Sequence, residues 1–293
     1  MQPLLRKLKM ELAAAFGRRR QRRVEIRSVW AWNLEYEMSL IASLIPRFRF
    51  ISFDTEFPGV VIQRADGKPH YLLSDDERYH LLKHNVDCLN IIQLGFTLFD
   101  AAGNLPDLGM GSDNIGFAWE FNFRDFDVRH HPYAPSSIQL LRSSGVPIDR
   151  LPFHGIDSRR FADLFFALNI GGPHGAYYWV AFHGSYDVAY LLKVLMKGRP
   201  LPPTVDQFLF FADIYLGNVV DVKHLMRFCD HLHGGLERVA AALEVPRLAG
   251  NRHQAGSDSL LTCSVFLKIK QKYFGDDDGE VAQRRRVLCG LHP

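Results

Sequence analysis

Two rhythms of apolar residues run along this chain of 293 residues. Helical spacing covers "VWAWNLEYEMSLIASLIPRF" (29–48), broken at Pro46, and "LSDDERYHLLKHNVDCLN" (73–90), where Ser74 is a good N-cap. The same spacing returns in "PSSIQLLRSSGV", in "DSRRFADLFFALNIGG" with Asp157 as cap and Gly171 as stop, in "SYDVAYLLKVLMKG", in "TVDQFLFFADIYLG" and in "GGLERVAAALEV". It ends with the long run "AGSDSLLTCSVFLKIKQKYF". Short β-branched and aromatic runs lie between these helices. "FRFISFDTEF" is stopped by Pro58-Gly59, and "IIQLGFTLFD" enters a turn at 102–104. "GFAWEFNF" returns from that turn, "YYWVAFHG" stands alone, and "NVVDVKHLMRFC" passes from strand to helix. The pattern predicts one α/β domain over residues 24–274. Its sheet is mixed, part joined by a hairpin and part by helices, and is surrounded by helices.

Acidic residues interrupt these apolar elements at a few places. Asp54 and Glu56 are two apart in a strand, so they share one face. Two carboxylates on one buried face repel each other and lose hydration, which a fold tolerates when a cation lies between them. Asp187 opens the helix after a later strand, and Asp258 enters the last long helix five residues after His253. Alone, either aspartate is an ordinary first-turn residue favoured by the helix dipole, and His253 an ordinary loop histidine. Together they form DxE…D…HxxxxD, a set of hard oxygen donors suited to Mg²⁺ or Mn²⁺ with a histidine able to serve as general base. Two such ions suit phosphodiester hydrolysis.

Composition is that of a globular protein, with 47% hydrophobic and 23% charged residues and a net charge of +3. Basic residues crowd into an N-terminal extension over residues 1–23 ("RKLKMELAAAFGRRRQRR") and into "QRRR" of a polar tail over 275–293, so the body between them is near neutral. Any anionic partner of the body is then met by local placement or by metal ions, not by overall charge. The extension is expected to be flexible and without an essential role, the alternatives being a solvated arm that adds weak nucleic-acid affinity or a nuclear signal. No run is long enough for a membrane span and no secretory signal is apparent, and the four scattered cysteines suit a reducing compartment.

The longer strings "VWAWNLEYEMSLI", "DTEFPGVV", "NVDCLNIIQLGFTLFD", "WEFNF", "AFHGSYDVAYLLK", "DVKHLM" and "RHQAGSDSLLT" resemble the carbon-catabolite-repressor-associated factor (Pop-type) family, in its plant branch. These are DEDD exonucleases of the histidine type on a ribonuclease H-like fold. The resemblance implies a catalytic deadenylase subunit, a metal-dependent 3′–5′ exoribonuclease that shortens mRNA poly(A) tails and releases AMP. It implies Asp54, Glu56, Asp187 and Asp258 as ligands of two divalent cations, Mg²⁺ or Mn²⁺, and His253 as base. Poly(A) RNA, the large Not scaffold subunit and a leucine-rich-repeat deadenylase subunit are the implied partners, in the cytoplasm and, as an alternative, the nucleus.

Phe57 and Gln93 are candidate substrate contacts, and Leu225 and Met226 are expected in the core. The chain departs from the family in reading "HGSYD" for His-Ser-Gly-Tyr-Asp, in lacking the usual tyrosines before DVK, and in carrying Ser136 for Asp. The alternatives are a non-catalytic adaptor of the complex, or an exonuclease trimming other RNA.

Overall fold

The computed structural model describes residues 23–63, 67–69, 72–108, 115–172, 176–275 and 278–291, so most of the basic N-terminal extension lies outside the described residues. Six strands form one mixed sheet: β1 (Val24–Val29), β2 (Phe50–Glu56), β3 (Gln93–Phe99), β4 (Gly116–Asn122), β5 (Tyr178–Ala181) and β6 (Asn218–Asp221). Their spatial order is β1-β4-β3-β2-β5-β6. β3 is antiparallel to both β2 and β4, whereas the β1–β4, β2–β5 and β5–β6 pairs are parallel. Five strands therefore point their carboxyl ends to the same edge of the sheet, and β3 begins there.

The helices are α1 (Leu34–Leu44), α2 (Asp75–Cys88), α3 (Pro135–Ser143), α4 (Leu151–His154), α5 (Ser158–Ala167), α6 (Ser185–Leu195), α7 (Val205–Tyr215), α8 (Val222–Leu225), α9 (Leu236–Ala242), α10 (Ala255–Tyr273) and α11 (Asp278–Ala282). One face of the sheet packs against α1, α2, α5 and α6 through Phe53, Phe96, Trp119, Phe121 and Trp179. The other face receives α9 and α10 through Phe50, Phe99, Val180, Leu260, Val265 and Phe266. Leu225 and Met226 are buried in this second cluster. No helix among the described residues is long and apolar enough to cross a membrane.

The strands read from the pattern all form, and β2, β3 and β4 are neighbours as expected. The turn after β3 is fastened by Asp100 Oδ1, which accepts from the amides of Ala102 and Asn104. The helix expected from residue 29 instead starts at Leu34, and "VEIRSV" before it is edge strand β1. Helical spacing in the window around Trp30 conceals this strand. Its polar Arg27 is accommodated by pairing with Glu37 of α1 at 2.6 Å and by lying over the Phe117 ring of β4, contacts that spacing does not reveal.

The start of helix α10 rests on the sheet at Gly95, where there is no side chain. Asp54, Gly95, Glu120 and Ser28 form one row across four strands. At Gly95, a Cβ would lie 1.8 Å from the Ala255 carbonyl oxygen. Along the same face, Ser52 Oγ donates to the Ser259 carbonyl at 2.9 Å, and Thr97 Oγ1 meets Ser259 Oγ at 2.9 Å. This polar, narrow stripe sets the depth and direction of the helix that bears Asp258. Gly95→Ala should therefore lower stability by about 1–3 kcal/mol through overpacking. Thermal unfolding of the variant against wild type checks this.

Candidate active site

The acidic residues picked out by pattern converge at the carboxyl edge of the sheet from three directions. Asp54 and Glu56 come from the end of β2, Asp187 from the first turn of α6 on one layer, and Asp258 from the first turn of α10 on the other. His253 lies in the loop before α10. One ligand atom each from Glu56, His253 and Asp258 falls within 4.8 Å of the others.

The protein treats these carboxylates unequally. Asp187 Oδ1 accepts from both the backbone amide of Thr55 (2.8 Å) and its hydroxyl (2.6 Å), locking α6 to β2. Asp258 Oδ1 accepts from Arg247 at 2.6 Å, and its Oδ2 from the backbone amide of His253 at 2.9 Å. The Asp54 and Glu56 carboxylates accept no hydrogen bond and make no ion pair among the described residues. Burial, and then repulsion among Asp54, Glu56, Asp187 and Asp258, pushes the Asp54 and Glu56 carboxyls well above the usual range. Burial likewise raises Asp187, to about 6 despite the two Thr55 bonds, and raises Asp258 despite Arg247. Two half-buried acceptors without donors, facing two further acids, fit a site for hard divalent cations.

Three supporting groups escape a reading by local pattern. Glu120 of β4 is a further acid in this row. Its Oε2 accepts from the Gly256 amide at 3.2 Å, and burial raises its carboxyl. An acid breaking an apolar strand marks its position, as in DxE, but its role rests on Gly256, remote in the chain. Arg247 pairs with Asp258, Glu237 and Ser257, and is the cation that offsets the charge on Asp54. Asp221, fully buried at the end of β6, accepts from the amides of His183 (2.8 Å), Gly184 (3.1 Å), Lys223 (2.9 Å) and Cys289 (2.9 Å). It thereby ties down the loop leading to Asp187.

Of the seven non-glycine residues with left-handed backbone among the described residues, two lie in the loops of this site, His183 (φ 60°) and His253 (φ 57°). Such conformations persist where the surroundings hold them, and they gather at functional sites. Phe57, half-buried beside Glu56, stacks on Tyr186 at 5.3 Å and Tyr190 at 4.7 Å. Gln93 is fully buried. It donates to Asn122 at 2.8 Å and accepts from the Ala255 amide at 3.4 Å, so its amide is occupied within the protein.

Comparison with known proteins places the chain in a family. Residues 29–159 match the model of the CAF1 family ribonucleases. A probable CCR4-associated factor 1 homolog (homolog 7) of Arabidopsis thaliana is 43% identical over 268 residues, which cover 92% of this chain and 94% of the relative. The chain belongs to the CAF1 ribonuclease family. Another family member, the poly(A) ribonuclease pop2 of Schizosaccharomyces pombe, is 39% identical over 91% of this chain and 75% of its own length. The solved S. pombe Pop2p structure, in its Mg²⁺- and Mn²⁺-bound form, superposes with a TM-score of 0.81 at 38% identity, covering 91% of this chain and 99% of that one. The yeast CAF1 structure obtained with the NOT1 MIF4G domain gives a TM-score of 0.71 at 27% identity, covering 90% and 96%. The fold is thus ribonuclease H-like.

A cation bound among these acids competes with their protons. Because burial raises the folded-state pKa of Asp187 from 3.8 to about 6, the metal-free protein loses stability as pH rises through that window. Added Mn²⁺ should therefore raise the melting temperature more at pH 7.5 than at pH 5.5, where the acids are partly protonated. Melting curves with Mn²⁺ and with chelator at the two pH values check this. An equal shift at both would count against metal binding by these acids.

Proposed function

We propose that this chain is the catalytic subunit of a deadenylase, a 3′–5′ exoribonuclease that shortens poly(A) tails and releases AMP. The observation that carries the reading is the convergence of Asp54, Glu56, Asp187 and Asp258 beside His253, in a chain of a ribonuclease family. The four carboxylates would hold two divalent cations, Mg²⁺ or Mn²⁺, which when bound supply positive charge at the scissile phosphate and favour an ionised water. The protein's own residues do the rest. Thr55 fixes Asp187, and the His253 amide and Arg247 fix the two oxygens of Asp258, so the donor set is oriented before substrate arrives. The His253 imidazole, held in the same loop, takes the proton from the attacking water as the 3′ oxygen of the penultimate nucleotide leaves.

Phe57 supports the substrate class. Its ring is backed by Tyr186 and Tyr190 just past Glu56, which makes it a firm wall against which the terminal base can rest. Gln93 serves the reading from beneath, by holding the start of α10. The Not scaffold is the partner best supported, through the family's crystallised pairing with a NOT1 MIF4G domain. A leucine-rich-repeat deadenylase subunit is the second. Action on cytoplasmic mRNA, with access to the nucleus, follows from the same reading.

A 5′-labelled RNA ending in poly(A), incubated with Mg²⁺ or Mn²⁺, should shorten as a ladder from its 3′ end. Asp54→Ala and Asp258→Asn should each abolish it, a fall of at least about 10³-fold. His253→Ala should slow hydrolysis by about 10²–10⁴-fold while leaving the Mn²⁺-induced gain in melting temperature largely intact. Undiminished shortening by Asp54→Ala would sink the assignment. Equal rates on poly(A) and poly(U) would remove the adenine preference.

A further inference from the structure

The turn that follows β1 carries an aromatic platform which the proposed chemistry leaves unused. Trp30 and Trp32 stack at 5.6 Å with their rings 5° from parallel, and Trp32 is 64% exposed. The Arg150 guanidinium lies over Trp30 at 5.0 Å, and the ring of His154 meets Trp32 edge-on at 6.2 Å. Beside them, Phe153 is 68% exposed with Arg129 over its ring at 5.3 Å. Among the described residues, Arg150 makes no ion pair. The group is rigid: the Ala31 amide donates to the His154 carbonyl at 3.0 Å, the Trp30 amide to Asn33 Oδ1 at 2.8 Å, and Trp30 Nε1 to Ser28 Oγ at 2.9 Å. Interleaved flat rings and cations, fixed in advance, form the kind of surface on which unpaired bases stack without regard to sequence.

Its position relates it to the acids. Glu56, Gln93 and Asn122 are in register across β2, β3 and β4, and Val29, Phe121, Leu94 and Thr55 form the adjoining row. Trp30 follows Val29, so it emerges at the same sheet edge as Glu56 and three strands away. Three strand spacings are about 14 Å, roughly four nucleotides at a stacked rise of about 3.4 Å. The segment from Ala134 to His154 runs between the two places. It touches the loop after Glu56 where the Ala134 amide donates to the Pro58 carbonyl at 2.8 Å. It touches the His253 loop where Asn251 reaches the Ser144 carbonyl, and it ends by supplying Arg150, Phe153 and His154. One continuous stretch of chain thus borders the way from the carboxylates to the tryptophans.

We propose that Trp32, with Phe153 and Arg150, binds the bases and phosphates of single-stranded RNA about four nucleotides upstream of the 3′ end held at the carboxylates. This rests on the exonuclease reading above. It predicts a subsite that sets affinity for long substrates and leaves the chemical step alone.

Fluorescence anisotropy in EDTA with 5′-labelled A3 and A12 tests it, alongside steady-state hydrolysis of both. Trp32→Ala and the double substitution of Arg150→Ala with Phe153→Ala should weaken A12 binding about tenfold, the loss of roughly one stacked base, and leave A3 binding unchanged. KM for A12 should rise in step while kcat holds, and Trp32→Phe should restore most of the affinity. Equal A12 affinity in wild type and Trp32→Ala, or an equal loss on A3 and A12, would overturn the platform. So would unchanged RNA affinity with lost binding of a NOT1 MIF4G domain, which would give the patch to a protein. Length-dependent, Trp32-dependent binding by a wild-type protein that hydrolyses no RNA would support the platform while removing the exonuclease reading.

Discussion

Buried negative charge without enough protein donors is the constraint around which this molecule is arranged. Asp54 and Glu56 are displayed by a core strand, repel each other and two neighbouring acids, and are met by no hydrogen bond among the described residues. Taking carboxylates out of water is costly unless opposite charge is close. The chain supplies that charge only in part, through Arg247 at Asp258. The remainder is what suits the place to a cation. A carboxylate fully bonded to protein donors would be more stable and of less use to an ion.

The remaining acids are used to hold backbone in position. Asp187 is fixed through Thr55, and Asp221 gathers four amides from three separate segments. Helix α10 has no capping bond from its own N-cap, Gln254. Its first amides are met across the sheet, that of Ala255 by Gln93 and that of Gly256 by Glu120. Capping from strands rather than from the helix's own sequence ties the position of Asp258 to the register of β3 and β4. Gly95 completes the fit by letting the helix start rest directly on the sheet.

How far sequence reached follows from the range of each interaction. Asp54 with Glu56, and His253 with Asp258, are legible because each pair is local: a period of two in a strand, and a loop running into a helix. Asp187 becomes legible by its place at the head of a helix after an apolar strand. Glu120 and Asp221 are not, because the role of each depends on partners far away in the chain, and Arg247 is not, because it acts by bridging two helices that a sequence window does not bring together. Glu120 meets Gly256, Arg247 lies between two helices, and Asp221 meets Cys289. Strand β1 hides for the same reason, since its polar residues make sense only beside β4 and Glu37. Gln93 drew notice as a polar residue beside the DxE strand. Its burial against α10 is a long-range fact that no window of sequence holds.

The "HGSYD" loop shows why a displaced glycine need not disturb such a site. The left-handed residue here is His183, at φ 60°, whereas Gly184 has an ordinary φ of −81°. A left-handed side-chain-bearing residue costs roughly 1–2 kcal/mol. The Asp221 carboxylate offsets this by accepting from the amides of both His183 and Gly184. Gly184 is still required where it stands, because a Cβ there would lie 2.4 Å from that of Ala181. Backbone amides bind Asp221 whatever side chain they carry, and Thr55 grips Asp187 from the strand side. The direction of Asp187 is therefore set from its two ends, by Asp221 on the loop that leads to it and by Thr55 on the strand it faces.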